Sequence, residues 1–229
     1  MATGTGLAAE PELVPVKEPQ ALLRELQQRM NVLKSVYFEF TQERRLQLFE
    51  EPLRSEGVML IEAPDRIRWQ MTAPYESILL GSGRSVAQFE KGEKGWAKLN
   101  VGFPGQLRQV MKQMVLMQRG DIETLEADYT LSLATGAVAA VTMVPKDETV
   151  RTFLAALEIR FTPDFTATRE VWMREPGGDA TRIVFRQERR DVTFPEDTFN
   201  QSRPRDLETV RAALGVKAPD DGSAGAGGP

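Results

Sequence analysis

Acid–base or nucleophilic chemistry in this chain would have to run on carboxylates, because its 229 residues include no histidine and no cysteine. That removes the usual general base of nucleophilic triads, the commonest metal ligand and any thiolate or disulfide. The carboxylates worth weighing are Glu39 taken with Glu62 or Asp65. Each has a simpler explanation: Glu39 alternates with aromatic residues as the wet side of a strand, and Glu62 and Asp65 flank a proline turn. The sequence therefore reads as a non-enzyme, with no cofactor and no metal site. Gly81-Ser82-Gly83 has the look of a phosphate loop, but a GxG without a following helix and lysine is a turn signal.

The apolar residues are better organised. In the stretch 57–83, Ala63-Pro64-Asp65 and Ala73-Pro74-Tyr75 predict two turns, because proline fixes φ and donates no ladder hydrogen bond. Three short strands result. In the middle one Ile67, Trp69 and Met71 alternate with Arg66, Arg68 and Gln70, which puts the two sets on opposite faces. Residues 36–42 alternate in the same way, with Val36, Phe38 and Phe40 on one side. Residues 46–56 read as a long hairpin connection.

Two amphipathic helices accompany the strands. Leu22, Leu23, Leu26, Met30 and Leu33 recur at helical spacing over 18–33, and Leu107, Val110, Met111, Met114 and Gln118 define a second helix over 106–118. The second helix is nearly apolar all round at its C-terminal half, and three of the nine methionines (Met111, Met114 and Met117) sit on it. Methionine adapts to irregular shapes, so such a helix either packs into core or covers an apolar guest. From 129 onward the chain reads as hairpins. Leu157, Ile159 and Phe161 share one face, and Glu158, Arg160, Arg182 and Arg186 stand on the opposite, wet one.

About ten strands with one apolar side and two substantial helices to cover it is a rough count from pattern alone. A sheet that wide must coil. The expected fold is α+β, mostly β: an open curved antiparallel half-barrel covered by helices. Its cavity would be lined by Phe38, Phe40, Ile67, Trp69, Met71, Met111, Met114, Met117, Leu157, Ile159 and Phe161, under a lid carrying Leu22, Leu26 and Met30. The division expected is a flexible leader at 1–17, a single domain at 18–200, and a short helix with a disordered Gly/Ala-rich tail at 201–229. The net charge of −4, with both signs mixed, offers no nucleic-acid footprint. No apolar run is long enough to span a membrane as a helix. The clusters Arg44-Arg45 and 186–190 read as solvated edges that could also dock an acidic partner or anionic headgroups.

Phe40-Thr41-Gln42 after an amphipathic helix, then Gly57, Pro64, Trp69-Gln70-Met71-Thr72, Pro74 and Glu76-Ser77-Ile78-Leu79, resembles the periplasmic outer-membrane lipoprotein carrier family, LolA. The resemblance runs from about Leu22 to Phe199 and is densest at 57–80. It implies the LolA/LolB-like half-barrel, a cargo of lipoprotein acyl chains or another lipid, and a monomer in the periplasm whose signal peptide has been removed. It also implies an inner-membrane ABC release complex and an outer-membrane receptor as partners. A lipid-sensing or interaction module on the same fold is the alternative. One departure stands out: the family's lid-latching arginine before the first turn proline is replaced here by Ala63. Glu62, Arg66 and Arg68 are the residues nearest in sequence that could stand in for it.

Overall fold

The computed structural model describes residues 12–30, 34–83, 85–100, 104–118 and 120–217. The stretch 57–83 forms most of β3 (Leu53–Glu62), β4 (Arg66–Ala73) and β5 (Ser77–Ser82), and its two proline turns contain cis peptide bonds at Ala63-Pro64 and Ala73-Pro74. Before it come β1 (Leu13–Pro15), α1 (Gln20–Met30) and β2 (Ser35–Arg45). After it come β6 (Ser85–Gly92), β7 (Gly95–Leu99), α2 (Pro104–Gln118) and α3 (Ile122–Asp128). The remainder is β8 (Tyr129–Gly136), β9 (Ala139–Pro145), α4 (Glu148–Arg151), β10 (Ala156–Phe161), β11 (Thr168–Arg174), β12 (Ala180–Arg190) and α5 (Leu207–Leu214).

Twelve strands, rather than the expected ten, make one antiparallel sheet in the order β1-β8-β9-β10-β11-β12-β2-β3-β4-β5-β6-β7. Two meanders, β2–β7 and β8–β12, are joined where β12 pairs with β2, placing Phe185 opposite Phe40. The end strands β1 and β7 do not pair with each other, so the sheet is open. Register breaks at Glu56/Gly57, Arg160/Phe161 and Arg186/Arg189 bend three of the strands, as bulges do. The β2–β3 connection is shorter than the sequence suggests, because Leu53 already pairs with Arg44 and Ser55 with Gln42. That pairing is made by the backbone and leaves no apolar pattern to read. Residues 13–15, which the sequence reading puts inside a leader, pair with β8.

The inner face of the sheet meets α1, α2 and α3 in one large cluster. Leu23, Leu26 and Met30 of α1 and Met111, Met114 and Val115 of α2 pack with Phe38, Phe40, Ile67, Ile159 and Phe161 of the strands. Gly120 ends the α2 turn at φ +62, and a Cβ there would lie 2.9 Å from Met30 Cβ and 3.0 Å from the Gln27 Cα. Glycine is thus what lets α1 and the α2–α3 corner approach backbone to backbone.

The outer face is not uniformly wet. On the β2–β4 half, residues 192–216 fold back over it, and Phe194, Phe199, Leu207, Val210 and Val216 cover Tyr37, Val58 and Leu60. On the β10–β12 half, Glu158 and Arg160 are buried, contrary to the alternation-based reading. Arg160 pairs with Glu158 at 2.7 Å, and Arg182 with Glu170 at 2.6 Å. The guanidinium groups of Arg160, Arg174 and Arg182 all stand 5.3–5.8 Å from the Trp172 ring. Long side chains lying over an indole shield one another from water, which period-two patterning does not reveal.

Candidate functional site

Most of the inner face is filled. The Phe38 and Phe185 rings sit 4.6 Å apart, and Trp69 meets Phe40 edge-on at 6.0 Å. Phe161 packs against Phe165 at 6.3 Å. Phe38, Phe40, Met114, Leu157, Ile159, Phe161, Leu26 and Met30 are all buried in this mass, with Leu22, Trp69 and Met71 half-buried against it. The side chain of Met117 lies outside the described residues.

A cavity of about 470 Å³ lies between α2 and the ends of β4, β5 and β6. Its apolar wall is Ile67 on β4, Gly81 on β5 and Val86 on β6, faced by Met111, Val115 and Leu116 on α2. Of the ten residues expected to line a cavity whose side chains are described, Ile67 and Met111 line this one. The space depends on Gly81: a Cβ at that position would come 2.7 Å from Met111 Cε and 3.0 Å from Ile67 Cγ2. Helix α2 therefore lies low over β5, and the room that remains is beside Met111.

The rim of this cavity is polar. Asp65 stands on the β4 side, next to the Ser82-Gly83 turn and Ser85. Arg108 and Lys112 stand on α2, four residues apart and so on one side of the helix. Lys112 Nζ is 3.7 Å from Asp128 on α3 and half exposed. Sequence reasoning missed Val86, Arg108, Lys112, Val115 and Leu116. The signal for the α2 residues was present in their i, i+3, i+4, i+7 spacing with Met111. Val86 lay on a strand whose inner face carries no aromatic marker.

The carboxylates weighed for catalysis are not gathered. Glu39 is buried on the outer face, accepts from the Tyr37 hydroxyl at 3.1 Å and lies 3.6 Å from Arg211 of α5. Burial pushes the Tyr37 phenol up to about 12, against the opposing pull of Arg211. Glu62 pairs with Arg66, and Asp65 belongs to the cavity rim. Among the described residues, no group of three or more His, Cys, Asp or Glu is placed to hold a metal ion.

The candidate replacements for the lid-latching arginine are committed elsewhere. Arg66 is paired with Glu62 and lies 5.3 Å from the Phe199 ring on the outer face. Arg68 is fully buried on that same face, where it donates to Gln70 Oε1 (3.0 and 2.5 Å), to the Thr198 carbonyl (3.1 Å) and to the Arg205 carbonyl (2.7 Å). Burial lowers its pKa to about 10, which still leaves it a cation at neutral pH. Two polar side chains on the other face are unsatisfied. The Gln113 amide and the Trp69 indole Nε1 are buried with no hydrogen-bond partner among the described residues.

A curated outer-membrane lipoprotein carrier protein from Nitrosomonas europaea is 21% identical over 201 residues, spanning 87% of this chain and 93% of that one. Among solved structures, a LolA superfamily protein from Nitrosomonas europaea aligns over 82% of this chain and 99% of its own, at 10% identity and a TM-score of 0.43. The lipoprotein LppX of Mycobacterium tuberculosis aligns over 77% and 99%, at 12% identity and a TM-score of 0.42. The family model for the outer membrane lipoprotein carrier protein LolA matches residues 31–202, and the chain belongs to that family.

Proposed function

We propose that this protein is a lipid carrier of the cell envelope that holds an acyl chain of a lipoprotein or another lipid between α2 and β4–β6, and moves it from inner to outer membrane. Membership in a lipoprotein carrier family supports lipid or lipoprotein binding and an envelope location. The single observation that carries the site is the apolar cavity beside Met111. Each methylene buried there contributes about 0.8 kcal/mol, so a chain of ten carbons binds usefully without any charged contact. Delivery requires that the loaded and empty forms differ little in free energy, since a carrier that binds too tightly does not release. In this reading an inner-membrane release complex loads the protein and an outer-membrane receptor unloads it. None of the described helices is long and apolar enough to cross a membrane.

The test is organic extraction of protein purified from envelope fractions, followed by mass spectrometry and a donor-to-acceptor vesicle transfer assay. The expected result is about one acyl species per chain and transfer that depends on the protein. Recovery of no acylated species, together with no transfer, rejects the carrier function.

A further inference from the structure

At the end of the sheet remote from the cavity, residues 46–52 connect β2 to β3. Among the described residues six large apolar or aromatic side chains are exposed, and three of them fall together here: Leu48 (93%), Phe49 (57%) and Leu53 (52%). We infer that this tip is a docking knob for a partner protein that offers an apolar pocket rimmed by lysine or arginine. Single exposed apolar residues need no explanation, but a cluster of them marks a contact surface. The tip is also held in place. The Gln47 N–H donates to Asp179 Oδ1 at 2.9 Å, the Phe49 N–H donates to the Leu46 carbonyl at 3.0 Å, and Arg44 pairs with Glu175 at 3.5 Å. Gly178 stands at φ +91, and a Cβ there would overlap the Gln47 amide, so the β11–β12 turn closes directly on the base of the tip. A knob fixed by its neighbour loses less freedom on binding than a loose loop does.

Charge selects the kind of surface that fits. Glu50 and Glu51 stand exposed beside Phe49, and among the described residues neither carboxylate has an ion-pair or hydrogen-bond partner. Two of the arginines behind them are engaged, Arg44 with Glu175 and Arg54 with Glu43 at 3.3 Å. Arg45, exposed on the outer face, is left without such a pair among the described residues. An anionic lipid surface would therefore meet two free carboxylates at the tip, the reverse of the polybasic segments that bind such surfaces. A second copy of the chain is disfavoured by size, because so short a connection falls well below the roughly 20–30 residues a side of a stable interface. A pocket with a basic rim answers both halves of the tip in a small, transient contact. It takes Leu48 and Phe49 as apolar anchors while its cations meet Glu50 and Glu51. Strand β3 runs ten residues from the tip to the Ala63-Pro64 turn, about 30 Å at the rise of a strand. The cavity rim at Pro64, Asp65 and Ser82 is at that far end, so a partner holding the tip leaves the rim uncovered.

The experiment places the photocrosslinker p-benzoylphenylalanine at position 49 of the full chain in its native cells, with exposed Val14 on edge strand β1 as the control position. The expected result is a covalent adduct to one protein from position 49 and not from position 14. That protein is then purified and titrated with the wild-type chain and its variants. Leu48→Ala combined with Phe49→Ala should weaken binding at least about tenfold and leave the urea midpoint unchanged, because both side chains are exposed. Glu50→Gln combined with Glu51→Gln should weaken binding about threefold and flatten its salt dependence. Lipid extracted from both double variants should match that from the wild type, so loss of docking and loss of cargo are read separately. No protein adduct from position 49, or adducts only to lipid or to another copy of the chain, overturns the inference. So does flotation with phosphatidylglycerol vesicles that the Leu48 and Phe49 substitutions abolish, which would make the tip a membrane contact. An adducted protein whose affinity ignores Leu48 and Phe49 overturns the knob, and one whose affinity and salt dependence ignore Glu50 and Glu51 overturns the basic rim.

Discussion

Arg68 heads the fully buried side chains by size, and its environment explains why it is tolerated. Its guanidinium reaches two main-chain carbonyls of the segment folded over the outer face, together with Gln70. Asp206 adds a favourable charge that partly offsets the burial. Arg68→Met keeps the volume and removes these donors, leaving the Thr198 and Arg205 carbonyls without them. Hydrogen bonds to charged groups contribute about 1.5–3 kcal/mol, so the variant should lose about 2–4 kcal/mol in urea unfolding, with faster proteolysis after residue 190. A loss below about 1 kcal/mol would show that the clamp is idle. On the other half of the sheet, burial raises the Glu170 pKa. Hydrogen bonds from Arg182 and Trp172 and the charges of Arg182 and Arg160 outweigh it and leave the group below its ordinary value. A carboxylate depressed in the folded state binds fewer protons there than in the unfolded chain. Its stabilisation is therefore full above the unfolded value of about 4.3 and is lost as pH falls through the folded one. Glu170→Gln should flatten that acid limb, seen as a smaller drop in urea midpoint between pH 5 and pH 3 than in the wild type. Parallel curves would exclude Glu170 as a source of acid sensitivity.

At the scale of elements, two glycines do different things. A Cβ on Gly57 would sit 2.1 Å from the Gln70 carbonyl oxygen, a backbone atom that cannot move aside. Gly57→Ala should therefore break the β3–β4 register at its bulge and cost more than about 2 kcal/mol, as thermal unfolding would report. Gly81 meets the flexible end of Met111 instead. Gly81→Ala should fold with a change under about 1 kcal/mol while driving Met111 into the cavity, so laurate affinity falls without loss of stability. Unchanged affinity would place the acyl tail elsewhere. Helix α5 shows what amphipathic spacing can and cannot tell. Leu207, Val210 and Leu214 announce a helix, and the helix is there, capped by Asp206 and ended by Gly215 at φ +62. That it lies on the outer face, with Arg211 donating to the Tyr37 hydroxyl at 3.3 Å, depends on residues 174 positions away.

For the whole molecule, an open twelve-stranded sheet must protect two edges. Strand β1 is three residues long and ends in Pro15, and β7 carries Lys98 next to a turn containing Lys94. Lys98 also lies 5.8 Å from the Phe89 ring. Lys98→Val should expose a flat apolar edge and give stronger concentration-dependent association in sedimentation velocity than the wild type shows. A variant that associates no more than the wild type would show that strand length alone guards that edge. The sequence by itself determined which residues face inward, because period two and period 3.6 follow from local geometry. It also determined the two proline turns, and the excess of apolar strand face over helix that makes the sheet coil. Only the tertiary structure decided how full the interior is. Phe38, Phe40 and Phe161 interlock with partners far away in the chain, so their apolar character says nothing about vacancy, and the room left over falls where Gly81 lets α2 sit low. It also decided the fate of the outer face. An arginine in alternation reads as solvated until a distant segment, here residues 192–216, closes over it and supplies the carbonyls that satisfy its charge.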